Sequence, residues 1–172
     1  HLISLLKKKK PRQVIVFSNF KHNVEKIALF LTRNGFPAVG ISSLLSQGQR
    51  NRVMGQFKGE PEQNILVATD VAARGLDIKE VDLVVNYELP DDSEAYVHRI
   101  GRTGRAGAQG EAYSLVSDKD VDALQRIESF LNRKIATAWL ETEDLITDYK
   151  PFPKDSEVPS LGTRSPGKSK GR

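Results

Sequence analysis

The sequence contains no cysteine, only one methionine and no long apolar segment. Without cysteine, disulfide bonds and cysteine-ligated zinc sites are excluded. The longest apolar run, 27–31, is far shorter than the roughly 20 residues that cross a bilayer. No basic and apolar segments precede a small-residue cleavage site, which argues against a secretory signal peptide. We therefore expect an intracellular, cytoplasmic protein with no membrane association.

The length of 172 residues corresponds to one domain, and 38% hydrophobic with 28% charged residues is typical of a globular chain. The first residue is His1, and the one methionine, Met54, lies within a helical pattern. We therefore expect that the chain comes from a longer protein.

The net charge of +4 is confined to the end of the chain. Residues 1–149 contain 20 basic and 20 acidic residues, whereas residues 150–172 contain 6 basic and 2 acidic residues. The latter segment is rich in Pro, Ser, Gly and Lys and has too few large apolar residues to offset the entropy of ordering. We predict a domain over 1–149 and a disordered basic tail over 150–172, acting as a linker or as an arm that holds nucleic acid.

Short apolar runs alternate with segments of helical periodicity. From Val24, apolar residues recur at i, i+3, i+4 and i+7, which predicts a helix. Ser46 and Gln49 have the spacing of a capping box, which predicts the start of a second helix. A last helix is predicted to begin near Asp118. Strands are predicted at 14–17, 38–41, 65–68, 83–85 and 112–116, and the continuous β-branched run at 14–17 suits a strand buried on both faces. The alternation predicts an α/β three-layer sandwich with a mainly parallel sheet flanked by helices on both faces.

Ligands of such sheets bind beyond the carboxyl ends of the strands, so the polar residues that follow the runs are the first candidates. Thr69 and Asp70 follow one run and Gly75 comes shortly after, which predicts a short helical turn whose N–H groups bind a phosphate. The alternative is that Thr69 and Asp70 only cap a connector and that Arg74 and Asp77 form a surface ion pair.

A second candidate segment, 92–107, is basic and contains glycines at Gly101 and Gly104. His98, Arg102 and Arg105 have helical spacing and share one face if the helix continues through both glycines. Guanidinium groups suit phosphate binding, and the glycines allow close approach to the backbone. A solvated basic loop is the alternative.

Two further segments carry weaker signals of a phosphate site. Arg50 lies on the first turn of a predicted helix, where a cation is unfavourable unless an anion is near, although surface ion pairs are common there. Residues 162–169 fit the letters of a phosphate-binding P-loop, but no buried strand precedes them and no helix follows. We therefore treat this match as coincidence.

Three segments in order resemble the C-terminal motifs of DEAD-box RNA helicases: VATDVAARGLDI at 67–78, VNYELP at 85–90 and HRIGRTGRAG at 98–107. The resemblance extends from about residue 2 to residue 147. It implies a RecA-like fold, the second of two such domains that close around ATP and an RNA strand. Related helicase families usually have Gln at the position of His98. The presence of a histidine here therefore favours the RNA branch over enzymes that unwind DNA.

The resemblance also implies roles for individual residues. Asp77 would contact the nucleotide ribose, and Arg102 and Arg105 would reach the triphosphate as catalytic arginine fingers. His98 would act with them, and His98 and Arg99 would couple this site to the other domain and to RNA.

RNA contacts are implied for Thr69, Arg50, Gln47, Arg99 and the main chain of Gly75. The chain departs from the family pattern at two places. Ser42 and Ser43 stand where His-Gly is common, and Phe20 stands where Thr is common.

The chain contains neither a credible P-loop lysine nor the acidic metal motif of the family. We therefore predict no metal site here, and we expect ATP and Mg²⁺ to be held mainly by an N-terminal RecA-like domain. The expected partners are that domain and single-stranded or duplex RNA. The fragment alone is expected to be monomeric and inactive as an ATP-hydrolysing RNA helicase.

Two other functions stay open. The first alternative is an RNA-binding or scaffold module without ATP turnover. The second is a self-contained nucleotidase that uses residues 162–169.

Overall fold

The computed structural model describes residues 1–59, 64–78, 80–104 and 109–159. Helices and strands alternate along the chain. In chain order they are α1 (Leu2–Lys9), β1 (Val14–Phe17), α2 (Lys21–Arg33), β2 (Ala38–Ile41), α3 (Gln47–Gly59), β3 (Ile65–Ala68), α4 (Asp70–Ala73), β4 (Leu83–Asn86), α5 (Ser93–Ile100), β5 (Glu111–Ser114) and α6 (Val121–Leu131). Single 3₁₀ turns occur at Asp118–Asp120, Thr142–Asp144 and Asp155–Glu157.

The five strands form one parallel sheet in the order β2-β3-β1-β4-β5. β1, β3 and β4 are buried along their whole length, as their continuous apolar runs predict. Alternate residues of β1 point to opposite faces: Val14 and Val16 pack with α1 and α2, whereas Ile15 and Phe17 pack with α3 and α4. The predicted α/β sandwich with helices on both faces is confirmed.

Two elements differ from the sequence predictions. α1 was not expected, because His1 supplies no side-chain cap and the helix is only 8 residues long; it forms because Leu2, Ile3, Leu5 and Leu6 are buried against the sheet. β5 spans Glu111–Ser114 instead of 112–116, and as an edge strand it is exposed or half-buried. The helices of the described residues are too short or too polar to cross a bilayer.

Residues 149–159, which we call the C-terminal strap, lie against α2. Phe30 contacts Tyr149 and Phe152 with ring centroids 6.2 and 5.6 Å apart, and the Lys150 N–H donates to Asn34 Oδ1 at 2.7 Å. Two ion pairs, Arg33–Glu157 and Lys26–Asp155, fasten the end of the strap.

The strap includes the first part of the predicted tail, 150–172. Residues 150–159 lie on α2, where Phe152 packs on an aromatic ring, Pro153 is buried, and Asp155 and Glu157 pair with cations. The division into a domain over 1–149 and a disordered tail stays a prediction. Residues 160–172, including the P-loop match at 162–169, lie outside the described residues.

Removing the strap's aromatic contact is expected to weaken the fold. Because Phe152 is 40% exposed, Phe152→Ala should lower the free energy of unfolding by about 1–2 kcal/mol, less than for a fully buried ring. Trp139→Ala is the matched control, since Trp139 is 84% exposed and should change it by less than about 0.5 kcal/mol. Urea denaturation followed by circular dichroism measures both, and equal effects would contradict the packing role of the strap.

Candidate functional site

Polar residues gather where the parallel strands end. Asn19 follows β1 after one buried serine, Thr69 and Asp70 follow β3, and Asn86 is the last residue of β4. These three strands are adjacent, with β1 in the middle, so their carboxyl ends meet at one edge of the sheet. We call this the carboxyl edge. It is where ligands of open α/β sheets bind.

Arg99 of α5 connects the three strand ends. Its Nε and Nη2 donate to the two oxygens of Asp70 at 2.7 and 2.6 Å, and Nη2 also donates to Asn19 Oδ1 at 2.7 Å. Its Nη1 donates to the Glu88 carbonyl at 2.9 Å and to Asn86 Oδ1 at 3.3 Å. A guanidinium has five N–H donors, so every one of them is used inside the protein. We call these five residues the Arg99 hub.

The hub is buried and charge-balanced. Arg99 is 1% exposed, and its guanidinium carbon lies 5.2 Å from the centre of the Phe17 ring. The Asp70 carboxylate supplies the opposite charge in a bidentate pair, which is the strongest geometry for such an ion pair. The Arg99 side chain is therefore enclosed, and all its donors are used inside the protein. Its contact with RNA stays a prediction.

Thr69 and Arg50 meet at the single turn of α4. Thr69 Oγ1 accepts the Ala72 N–H at 3.2 Å as the predicted N-cap, and Arg50 Nη2 donates to the Ala72 carbonyl at 3.0 Å. This bond explains a cation on the first turn of α3 without an anion. Gly75 follows at φ +74°, a conformation that favours glycine. Gln47 is exposed on the same turn of α3 as Arg50, so these four RNA candidates share one region.

The nucleotide candidates lie along α5 and the connection that leads into β4. α5 ends at Ile100 with Gly101 as its C-cap, so the single helical face expected for His98 and Arg102 does not form. His98 is exposed and Arg102 half-buried. The Arg102 carbonyl accepts the Val81 N–H at 3.0 Å, which fixes Arg102 beside the amino end of β4 rather than at the carboxyl edge.

Two further nucleotide candidates complete this group. Asp77 is exposed and pairs with Lys58 of α3 at 3.0 Å. Arg105 lies outside the described residues. The loop that carries Arg102 is braced by Thr103, whose hydroxyl donates to the Val81 carbonyl at 2.5 Å, and by Gly110, where a Cβ atom would overlap Thr103 and Gly104.

Burial sets the ionisation of the aromatic residues around the site. It raises the pKa of Tyr87 and of Tyr96, with the Glu88 charge adding to the first and a Ser114 hydrogen bond opposing the second. Both phenols therefore stay neutral at physiological pH. Among the residues that the structure describes, no cluster of His, Asp or Glu could hold a metal ion.

Sequence reasoning missed Asn19 and Asn86 and assigned Asp70 only a capping role. The available signal was that each stands at the end of a buried apolar run, where a short polar side chain reaches a neighbouring strand end. Nothing in the sequence showed that Arg99 would join them, because their separations along the chain range from 13 to 80 residues.

The hub predicts a large stability effect. Arg99→Ala leaves Asp70, whose side chain is 26% exposed, without its counter-charge, so the free energy of unfolding should fall by about 3–5 kcal/mol. The double variant Arg99→Ala/Asp70→Ala should lose clearly less than the sum of the single losses, because the two groups interact.

Arg126→Ala is the matched control for this cycle. Arg126 pairs with Asp91 at 3.3 Å, but both side chains are largely exposed, so its loss should cost less than about 1 kcal/mol. Additive effects of the Arg99 and Asp70 substitutions would contradict the hub.

Comparison with known proteins identifies the family. Residues 1–107 match the helicase conserved C-terminal domain. The ATP-dependent rRNA helicase RRP3 of Coccidioides immitis is 45% identical over 146 residues, covering 85% of this chain and 31% of RRP3. The chain thus spans about a third of that relative's length.

Solved structures agree with this match. The E. coli DEAD-box protein SrmB, bound to the regulator RraA, has a TM-score of 0.77 and 36% identity over 87% of each chain. Domain 2 of the DEAD-box helicase Mss116p, bound to an RNA duplex, has a TM-score of 0.69 and 25% identity over 84% of this chain and 59% of that one. The chain therefore belongs to the helicase C-terminal domain family and is a RecA-like C-terminal domain of the DEAD-box type.

Proposed function

We propose that this domain is the C-terminal half of an ATP-dependent RNA helicase, which closes with an N-terminal RecA-like domain on ATP and RNA. One observation carries the proposal. Asp70, which follows the RNA candidate Thr69 in the chain, is hydrogen-bonded to Arg99 of α5. The nucleotide candidate Arg102 comes just after the end of the same helix. A rigid path of short bonds therefore joins the two candidate sites.

On the nucleotide side, the exposed carboxylate of Asp77 would bind the ribose hydroxyls, and Arg102 and Arg105 would bind the triphosphate from across the cleft. ATP with Mg²⁺, held mainly by the N-terminal domain, supplies the phosphoryl group that is transferred to water. Arginine keeps its charge at every physiological pH and stabilises charge on such a group, an effect worth about 10³ to 10⁵ in rate. His98, exposed on α5, would contact the N-terminal domain.

On the RNA side, Arg50, Thr69, Gln47 and the main chain of Gly75 would contact phosphates at the carboxyl edge. The structure of Mss116p, whose domain 2 is bound to an RNA duplex, supports RNA binding by this domain. Phosphate contacts position a strand without reading its sequence, so the binding would be independent of sequence. The chain alone would bind RNA as a monomer but hydrolyse no ATP, and the whole protein would act in the cytoplasm.

Replacing the proposed arginine finger is expected to stop turnover. In the full-length protein, Arg102→Ala should lower RNA-stimulated ATP hydrolysis at least about 10³-fold, because charge on the transferring phosphoryl group loses its counter-charge. Arg133→Ala is the control, since Arg133 is an exposed arginine that follows α6. Steady-state phosphate release measures both, and normal turnover in Arg102→Ala would remove the finger assignment.

RNA binding by Arg50 predicts a change in salt dependence. Arg50→Gln should weaken RNA binding to a similar extent for all sequences and reduce the slope of log affinity against log salt by about 1. Arg12→Gln is the control, because Arg12 is 93% exposed just before β1, at the opposite end of the sheet. Titration of this chain with labelled RNA at several salt concentrations measures the slope.

Equal slopes for the wild type and Arg50→Gln would place the RNA elsewhere.

A scaffold without ATP turnover would bind RNA and an ATP analogue independently in the full-length protein, whereas a helicase requires each ligand to tighten the other.

A further inference from the structure

Three large apolar side chains are exposed just beyond the carboxyl edge. Phe20, Leu44 and Val71 are 59%, 43% and 66% exposed, and each lies three residues past the end of its strand, β1, β2 or β3. These strands are neighbours, and the last residues of β1 and β2 both pair with the last residue of β3. The three side chains therefore occupy equivalent positions on adjacent strand exits. We call them the edge row.

Phe20 is held on a fixed backbone although its ring is exposed. Its N–H donates to Ser18 Oγ at 3.3 Å, and its carbonyl accepts the Asn23 N–H at 2.9 Å. The preceding residue, Asn19, belongs to the Arg99 hub and also donates to the Leu89 carbonyl at 2.9 Å. A ring presented by such a backbone loses little conformational entropy when a flat partner covers it.

The charges around the edge row favour a polyanion. Lys21 follows Phe20, Arg74 is exposed beyond α4, and Arg50 lies on the first turn of α3, whereas the nearby Asp70 carboxylate is neutralised in the hub. The acidic residues nearest to this surface are Glu88, whose half-buried carboxylate accepts the Asn19 N–H at 3.0 Å, and those of the segment 91–94 after β4. Protein partners prefer interface centres poor in charge, but single-stranded nucleic acid binds where aromatic side chains stand among cations.

We propose that the ring of Phe20 stacks on a nucleobase of the bound RNA strand, with Leu44 and Val71 against the apolar faces of neighbouring nucleotides. The inference rests on the proposed RNA-binding function and adds a base contact to a surface that otherwise binds phosphates. A phenyl ring has no hydroxyl to offer a phosphate, unlike the threonine common at this position. Stacking also requires an unpaired base, so this contact favours single strands.

The test compares RNA strands of equal charge that differ only in their bases. The chain is titrated with labelled oligoadenylate and with a strand of equal length in which the central nucleotides are abasic. Phe20→Ala should weaken oligoadenylate binding about 5- to 100-fold, and Phe20→Tyr should keep it within about twofold. The abasic strand should bind wild type and Phe20→Ala equally, and the salt slope should not change, since no charge is removed.

Phe130→Ala is the matched control, because Phe130 on α6 is 56% exposed and lies outside the edge row. Thermal unfolding of Phe20→Ala should match the wild type, since the ring is exposed. Unchanged oligoadenylate binding by Phe20→Ala, with binding still weakened by Arg50→Gln, would overturn the stacking and leave the RNA-binding function intact.

Two other outcomes also overturn the proposal. If the wild-type chain binds neither strand at low salt, the proposed RNA-binding function itself fails. If Phe20→Ala binds RNA normally but lowers ATP turnover in the full-length protein, the edge row contacts the N-terminal domain instead.

Discussion

A single buried guanidinium holds the carboxyl edge of this domain together. The protein interior tolerates the charge of Arg99 only because five acceptor atoms surround it, two of which are the oxygens of the oppositely charged Asp70. Its acceptors come from the ends of three adjacent strands, so the ion cannot be satisfied unless these strands end in register. The hub therefore fixes the positions of Thr69 and Asn19, and with them the positions of the residues next to each in the chain.

The same hub gives the domain a mechanical link between two surfaces. Thr69 and Arg50 lie at the carboxyl edge, whereas Arg102 lies beside the amino end of β4. Asp70 and the short helix α5 connect the two places through the paired hydrogen bonds of Arg99, so under the proposed function a displacement at one place would reach the other. Coupling of this kind requires an element with two arrangements, which the closing of two domains would supply.

Much of the fold could be predicted because the central strands are buried on both faces. Their runs at 14–17, 65–68 and 83–85 match β1, β3 and β4, although β4 extends one residue further, to Asn86. α1 lacks a capping signal, and β5 is an edge strand with polar residues, so burial supplies what the sequence pattern does not show. The strap escaped prediction for a similar reason, since its position depends on cations and a phenyl ring supplied by α2.

The sequence predicted several residues of the candidate site, but it did not predict which of them contact each other. Thr69 as a cap and Ser46 with Gln49 as a capping box follow from local spacing, and both are confirmed. The enclosure of Arg99 could not be predicted, because it depends on acceptors brought together only by the sheet. Helical spacing also misplaced Arg102, since Gly101 ends α5 before it.

The coupling between RNA and an ATP analogue, measured in full-length protein carrying Arg99→Lys, tests whether the Arg99 hub links the two surfaces. Lysine keeps the positive charge but has three donors on one nitrogen, so it cannot bridge the same strand ends. We expect the variant to bind each ligand alone within about tenfold of wild type and to lose most of the mutual tightening. Wild-type coupling in a folded Arg99→Lys variant would show that the hub does not link the two surfaces.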